Sequence, residues 1–235
     1  LFGHGRPDPA HDANGAAVSG VAVTDGDGAY SVAVPAARNP DGTLAAGTLY
    51  TLRADAAGYL TFPRPPREAI PLDVSGLSGA DLVVNNATTD VGLIALESAA
   101  GLGAISGRVT GEAVGGTFVV AGGASAVADA DGSFTVFNVP EGTVTVQAYR
   151  LGANYAPEAV DVEAGETTGG VVLAAAGAAT AVVSGSINLV NPGDGDLTSV
   201  ILVVEETFDE NTITGEAPPG FRAGGSMTPR RWGGR

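Results

Sequence analysis

The chain lacks cysteine and lysine entirely, and it contains only two histidines and one tryptophan. Without cysteine no disulfide can stabilise the fold, which excludes a small disulfide-stapled domain. All 11 basic residues are arginines, and they are outnumbered by 26 acidic residues, which gives a formal net charge of −15. A surface this acidic predicts no nucleic-acid partner, because phosphate binding requires a basic surface.

Helical periodicity and long apolar runs are also scarce. No segment keeps an apolar stripe at i, i+3 and i+4 over three turns. Residues 167–192 carry no charge, but glycine, serine and asparagine interrupt them. A membrane helix needs about 20 strongly apolar residues. We therefore expect two strands and a linker here, and no membrane span in this stretch.

The chain is instead rich in valine, alanine and glycine, with 36 glycines, 14 prolines and 44% hydrophobic residues. Short valine-rich runs between glycine and proline are typical of short strands. Several of these runs alternate with period two, which predicts an antiparallel sandwich with one buried face on each sheet. The core positions predicted within residues 104–176 are Val109, Val119, Phe134, Val136, Val144, Val146 and Val160.

One part of the sequence occurs twice. Residues 23–35 read Val-Thr-Asp-Gly-Asp-Gly-Ala-Tyr-Ser-Val-Ala-Val-Pro. Residues 127–140 read Val-Ala-Asp-Ala-Asp-Gly-Ser-Phe-Thr-Val-Phe-Asn-Val-Pro, with one extra residue before the proline. In both copies an alternating strand follows, and then a glycine and a tyrosine: Gly58 and Tyr59, and Gly152 and Tyr155. Asp131-Gly132 predicts a tight hairpin turn, since glycine tolerates a positive φ.

A second match connects residues 105–109 with residues 183–187, which both resemble the opening strand of a module. The next strand of this third unit is predicted at 198–205, and both of its faces are apolar. Such a strand needs cover on both sides. We expect it to dock on the second module, to pair with another chain, or to remain poorly ordered.

These matches predict three units. Residues 1–98 form a partial module with a proline-rich insertion at 63–83, residues 102–176 a complete sandwich, and residues 181–235 a partial module with a disordered tail. The first unit lacks a clear opening strand, and the third ends before any Asp-x-Asp-Gly turn. Both terminal modules should therefore be incomplete, and residues 1–17 and 221–235 should lack stable packing.

The order of these motifs resembles the carboxypeptidase regulatory-like domain. The motifs are Ser-Gly-x-Val, Asp-x-Asp-Gly-x-Phe-x-Val, Pro-x-Gly-Thr-x-x-Val-x-Ala and a glycine/tyrosine strand, and they cover residues 104–176 best. The resemblance implies an all-β fold of tandem immunoglobulin-like or transthyretin-like antiparallel β-sandwiches. It also implies non-catalytic modules of exported bacterial proteins, which occur in tandem, beside peptidases, or beside outer-membrane receptors.

Paired aspartates in the repeated turns raise the possibility of calcium, which prefers oxygen ligands. They are Asp25, Asp27, Asp129 and Asp131. Neither loop supplies the further ligands of an EF-hand, so we predict simple turns, no metal and no cofactor. The two histidines, His4 and His11, lie with Asp8 and Asp12 in a glycine- and proline-rich end without a predicted scaffold, which favours a disordered terminus over a metal site.

No catalytic residue is predicted. A hydrolase triad needs a histidine on a rigid element, and no Gly-x-Ser-x-Gly motif occurs. Neighbouring carboxylates such as Glu205 and Glu206 would alternate faces on a strand or be solvated in a loop. Six aromatic residues are predicted to belong to the core, with a sugar-stacking surface as the alternative: Tyr30, Tyr50, Tyr59, Phe134, Tyr149 and Tyr155.

Together these features favour a structural or adhesion module array that spaces, stiffens or presents other domains. Its expected partners are neighbouring modules of the same polypeptide. The alternatives are a carbohydrate- or protein-binding accessory module of a secreted hydrolase, and a periplasmic extension of an outer-membrane receptor. All three place the chain outside the cytoplasm, at the cell surface, in the medium or in the periplasm.

Overall fold

The protein is described here by a computed structural model. It describes residues 21–32, 34, 38–43, 49–50, 52–64, 67, 69–70, 72–74, 87–112, 114–150, 152–177, 181–186, 203–208, 210 and 215. In these residues the strands are β1 (Leu49–Tyr50), β2 (Leu72–Asp73), β3 (Leu102–Thr110), β4 (Phe118–Ala121), β5 (Ala124–Val127), β6 (Ser133–Pro140), β7 (Gly142–Tyr149), β8 (Glu158–Val162) and β9 (Thr167–Ala174). One 3₁₀ helix spans Glu205–Thr207.

Strands β3 to β9 form two sheets that pack face to face, and residues 102–177 are called the central sandwich below. One sheet has the strand order β6-β3-β9, and the other has the order β5-β4-β7-β8. The fold of this part of the chain is therefore all-β, as predicted. No helix among the described residues is long and apolar enough to cross a membrane.

The core lies between the two sheets and is built from the period-two positions. Buried residues of both sheets join one cluster, which includes Ile105, Leu173 and Val139. Six of the seven predicted core positions are buried: Val109, Val119, Phe134, Val136, Val146 and Val160. The prediction is wrong for Val144, which is only half-buried. Strand β4 ends at Ala121, opposite Val146, so Val144 has a paired neighbour only on β8.

One strand pair departs from the antiparallel arrangement that the alternation predicted. Strand β9 runs parallel to β3. The crossover from β8 is short, and it is tied to the start of β3, where Gly165 N donates to Leu102 O and Ala104 N donates to Glu166 O. The chain therefore enters the second sheet beside the beginning of β3 and runs in the same direction. Period-two alternation fixes which face is buried but not the direction of the strand.

The tight turn predicted at Asp131-Gly132 is present, since Gly132 N donates to Asp129 O, but it does not join two paired strands of one sheet. Strands β5 and β6, which it connects, belong to different sheets, so the turn carries the chain across the core. Gly132 has a φ of 86°, and its carbonyl accepts a hydrogen bond from Val109 N. A Cβ at this position would lie 2.3 Å from Val109 O, so the turn requires glycine both for φ and for space.

The extra residue of the second repeat copy is a β-bulge. Phe137 faces Ala104 and Val139 faces Gly103, so Asn138 has no partner residue on β3. Asn138 adopts a φ of 60°, which asparagine tolerates better than most residues. The insertion reverses the alternation after Val136, and for this reason Val139 is buried.

The N-terminal region, meaning the described residues up to 98, is less regular. Strand β1 pairs with β2, and isolated antiparallel bridges connect Ala54 with Phe62 and Tyr59 with Ala95. The Arg67 guanidinium lies 4.8 Å from the centre of the Phe62 ring. Of the alternating strand predicted after the first repeat copy, the described residues include β1 and the isolated bridge of Ala54. Residues 1–17 lie outside the described residues, as do parts of the insertion at 63–83.

The third unit does not follow its prediction where the structure describes it. Residues 181–186 pair with no strand, and Val182 is 92% exposed, so the predicted opening strand is absent among them. Residues 203–208 do not form a strand, and they contain the 3₁₀ helix at Glu205–Thr207. A strand requires a partner edge, and neither of these two segments is paired with a described strand. Residues 187–202 and the tail at 221–235 lie outside the described residues.

Candidate functional site at the edges of the sandwich

The central sandwich has two lateral sides, and each is bounded by the edge strands of both sheets. Strands β5 and β6 bound one side, and β8 and β9 bound the other. Edge strands present backbone groups that pair with other chains unless they are covered. How each side is covered therefore indicates what the sandwich is built to contact.

On the β8/β9 side, the two edge strands are joined to each other by two exposed hydrogen bonds. The Glu158 carboxylate accepts a hydrogen bond from Val172 N at 3.3 Å, and Thr168 Oγ1 donates to Asp161 O at 3.0 Å. These bonds connect the edge strands of the two sheets.

The β5/β6 side is covered by the N-terminal region. Arg53 Nη2 donates to the backbone carbonyl and to Oγ of Ser125 on β5, both at 2.9 Å. The guanidinium is held by Asp55, with 2.7 Å between Nε and Oδ2. Thr61 Oγ1 donates to the same carboxylate. A planar guanidinium suits this double recognition, and its charge strengthens the bonds.

On β6 the bulge residue Asn138 contacts the turn at residues 56–59. Gly58 N donates to Asn138 Oδ1 at 2.7 Å. Asn138 Nδ2 donates to the carbonyls of Ala56 and Tyr59, at 3.0 and 2.9 Å. Three bonds from a single side chain thus join the two regions. We call the contacts made by Arg53 and Asn138 the edge junction.

The outer face of the four-stranded sheet contacts the C-terminal segment, residues 203–208. Val204 is 8% exposed and packs against Phe118 and Val120, which point away from the main core. Glu206 accepts a hydrogen bond from Gln147 Nε2. Burial and the nearby Glu206 carboxylate raise the pKa of Tyr149. Of the three outcomes predicted for this segment, docking on the second module is the one observed for residues 203–208.

The two repeat copies share backbone geometry beyond the sequence match. In both turns the backbone amide of the first aspartate donates to the carbonyl four residues later. Asp25 N donates to Ala29 O, and Asp129 N donates to Ser133 O. Tyr59 bridges to Ala95 as Tyr155 bridges to Ala175. The residues before the two tyrosines accept matching bonds, because Leu96 N donates to Gly58 O and Ala176 N donates to Asn154 O. The second copy has two more residues, Ala153 and Asn154, between its turn glycine, Gly152, and its tyrosine.

Three of the four aspartates considered for calcium, Asp25, Asp129 and Asp131, accept hydrogen bonds in these turns, whereas Asp27 is exposed. Asp25 Oδ1 accepts bonds from the amides of Asp27 and Ala29. Asp131 accepts bonds from Ser133 N and Arg108 Nη2, each at 2.9 Å. Hydrogen bonds from Ser133 and the Arg108 charge lower the pKa of Asp131. No group of three or more potential metal ligands occurs among the described residues. His4 and His11 lie outside them, as do Asp8 and Asp12.

The aromatic residues divide between the core and the surface. Tyr50, Phe134 and Tyr155 are buried, as predicted, and Tyr149 is half-buried. The core prediction is wrong for Tyr30 and Tyr59, which are exposed. Glu205 and Glu206 lie on the exposed 3₁₀ helix. A cavity of about 140 Å³ lies beside the loop between β7 and β8, and Arg150, Asn154 and Tyr155 are among its lining residues.

Sequence reasoning did not single out Arg53 or Asn138. A signal for Asn138 was present, because it lies where the second copy has one residue more than the first. An inserted asparagine in an alternating strand is a typical bulge. Nothing in the local sequence connected Arg53 with Ser125, which lies 72 residues further along the chain.

No protein-family model matches the chain, and no curated protein matches it. A similar solved structure is a chain of a type II cohesin–X-dockerin complex from Acetivibrio cellulolyticus, described as an N-terminal interface mutant. It is 26% identical, with a TM-score of 0.24. The match covers 31% of this chain and 57% of that one.

Proposed function

We propose that this chain is a non-catalytic structural β-sandwich module whose task is to hold neighbouring modules of the same polypeptide in a fixed arrangement. The observation that carries the proposal is the edge junction. Arg53 and Asn138 satisfy backbone and side-chain groups across the boundary between two regions that also share a repeated sequence. A module that used its edge to bind a free ligand would leave that edge open.

Several further features support a spacing role. The β5/β6 side is contacted by the N-terminal region, whereas on the β8/β9 side the two edge strands bond to each other. The C-terminal segment covers an apolar part of the outer sheet face with Val204. Both sequence neighbours of the sandwich therefore contact it through specific side chains. The acidic surface favours solubility of such an array.

The resemblance to carboxypeptidase regulatory-like domains extends this proposal to tandem modules of an exported bacterial protein, extracellular, on the cell surface or in the periplasm. Its support is the order of motifs in the sequence together with the turn and bridge geometry common to both copies.

Small-angle X-ray scattering of the full chain tests the proposal. The double variant Arg53→Ala, Asn138→Gly removes both contacts of the edge junction, and glycine keeps the positive φ that the bulge requires. We expect a larger radius of gyration and a broader distance distribution, because the N-terminal region would move relative to the sandwich.

The matched control is Arg108→Ala, which removes a surface ion pair with Asp131 inside the sandwich. It should leave the scattering curve unchanged, since it touches no boundary. Unchanged scattering in the double variant as well would contradict the proposal, because the edge junction would then not fix the arrangement. Circular dichroism should show intact β-structure in both variants.

A further inference from the structure

The turn that contacts Asn138 has a counterpart within the central sandwich. Tyr59 N donates to Ala56 O, and Ala153 N donates to Arg150 O, so each turn is closed by the same hydrogen bond. The third residue of each turn is a glycine with a φ of 77°, Gly58 in one and Gly152 in the other. Each turn also follows the strand that begins with Gly-Thr in its repeat copy.

The two turns differ in what covers them. Gly58 is half-buried beneath Asn138, whereas Gly152 is exposed. Gly58 N donates to Asn138 Oδ1, whereas Gly152 N donates to no other described residue. The Arg150 guanidinium donates to Gly115 O, which anchors the base of the second turn. A cavity lined by Ala153 and Asn154 lies beside it.

The strand positions that precede the turns are also equivalent. Arg53 and Gln147 each precede an alanine, Ala54 or Ala148, at the end of the Gly-Thr strand. Arg53 contacts the next region along the chain through Ser125, and Gln147 contacts the next segment through Glu206. Arg53 and Gln147, which occupy equivalent positions, therefore each bind a residue later in the chain.

We propose that Arg150, Gly152 and Ala153 of the second turn, with the adjoining cavity, form the docking seat for the edge of a following module of the same kind, whose bulge asparagine would accept a hydrogen bond from Gly152 N. This inference rests on the proposed function and names the partner of this surface. The turn at residues 56–59 binds the edge of the central sandwich through Asn138. Because the second turn has the same geometry, we assign it the same role toward the next module. Head-to-tail contacts of this type continue without closing into a ring unless the rotation per module permits it.

A chain in which residues 97–176 are duplicated in place tests the seat. Since Ala175 corresponds to Ala95 through the tyrosine bridges, the second copy would follow the first through the same linker. The exchange rates of the two Gly152 amides, measured by NMR, should differ. We expect the Gly152 amide of the first copy to exchange at least about tenfold more slowly than that of the second, because a hydrogen bond worth about 1.4 kcal/mol changes an equilibrium tenfold.

Matched variants assign the effect. Asn138→Gly in the second copy should return both Gly152 amides to the fast rate, whereas Asn138→Gly in the first copy should speed only the Gly58 amide. Two fast Gly152 amides with a slow Gly58 amide would overturn this inference and leave the proposed function intact. A fast Gly58 amide in the unmodified chain would overturn both.

A second variant keeps the inference testable if the duplicated chain does not fold. In the full-length chain, Arg53→Ala removes the bonds to Ser125, and Gly58→Ala disfavours the turn that contacts Asn138, because Gly58 has a φ of 77°. Asn138 itself is retained. This chain should associate head to tail at high concentration in sedimentation velocity, and Asn138→Gly should abolish the association. A chain that stays monomeric with its β3 amides protected would overturn the inference.

Discussion

Residues 129–136 and their counterparts at 25–32 begin with the same turn and then differ in their surroundings. After the second turn, β6 pairs with β3 and Phe134 is 5% exposed. After the first turn, residues 29–32 pair with no described strand, and Tyr30, the counterpart of Phe134, is 39% exposed. Turn chemistry is therefore local, whereas burial of the following residues requires a partner strand elsewhere in the chain.

The comparison also explains why the N-terminal region relies on the sandwich. Its short pairings, β1 with β2 and two isolated bridges, provide few ladder bonds. Two short strands are marginal in water without further packing. Contacts through Arg53 and Asn138 supply part of the missing order, so the stability of one region depends on the edge of the other.

The largest expected difference in stability between the two copies is at the aromatic residue after the turn, Phe134 in one copy and Tyr30 in the other. Phe134→Ala should lower the free energy of unfolding by about 3–5 kcal/mol, because it opens a cavity in the core. Tyr30→Ala should lower it by less than about 1 kcal/mol, since it removes one hydrogen bond to Thr89 O and little burial. Urea denaturation measures both. Equal losses would contradict the difference in packing between the copies.

The turn glycines should show a smaller contrast. Gly28→Ala should cost roughly 1–2 kcal/mol of local stability through its positive φ alone, because no atom lies within 4 Å of the added Cβ. Gly132→Ala adds a clash with Val109 O, and overpacking costs about 1–3 kcal/mol more. The thermal unfolding midpoint of the sandwich should fall only with Gly132→Ala. A similar fall for Gly28→Ala would mean that the first turn belongs to the same cooperative unit.

The outer face offers a weaker test. Val204→Ala removes two buried methyl groups. It should weaken docking of the C-terminal segment by about 1.6 kcal/mol, at about 0.8 kcal/mol for each group. Loss of docking would expose Tyr149 and separate it from Glu206, so its raised pKa should move down toward the ordinary tyrosine value. Spectrophotometric titration of the tyrosines measures this change. An unchanged titration curve would show that Val204 does not hold the segment in place.

The smallest expected effect concerns the exposed pair in the second turn. Bonds from Ser133 and the charge of Arg108 hold the pKa of Asp131 below its ordinary value. Stabilisation from a lowered carboxyl pKa is complete above the pKa of the unfolded chain and is lost as pH falls through the folded value. Asp131→Asn should therefore lower the unfolding midpoint at pH 7 slightly and leave it unchanged at the acid end. A loss that persists at low pH would contradict the electrostatic origin.

Much of the sandwich was predictable because period-two alternation reports burial directly. Phe134, Val136 and Val160 are examples, and the Asp-x-Asp-Gly turns were evident from the repeat. The parallel direction of β9 was not predictable, since alternation is identical for both directions. The edge junction escaped prediction for another reason. Arg53 binds a residue 72 positions away, and no local pattern encodes so distant a contact.

Native-state hydrogen exchange of two glycine amides in the unmodified chain tests the account most directly. Gly58 and Gly152 occupy equivalent turns with the same φ, but only Gly58 N is bound by Asn138. We expect the Gly58 amide to exchange at least about tenfold more slowly than the Gly152 amide, since the bond must open first. Equal rates would contradict the claim that the edge of the sandwich holds its neighbour.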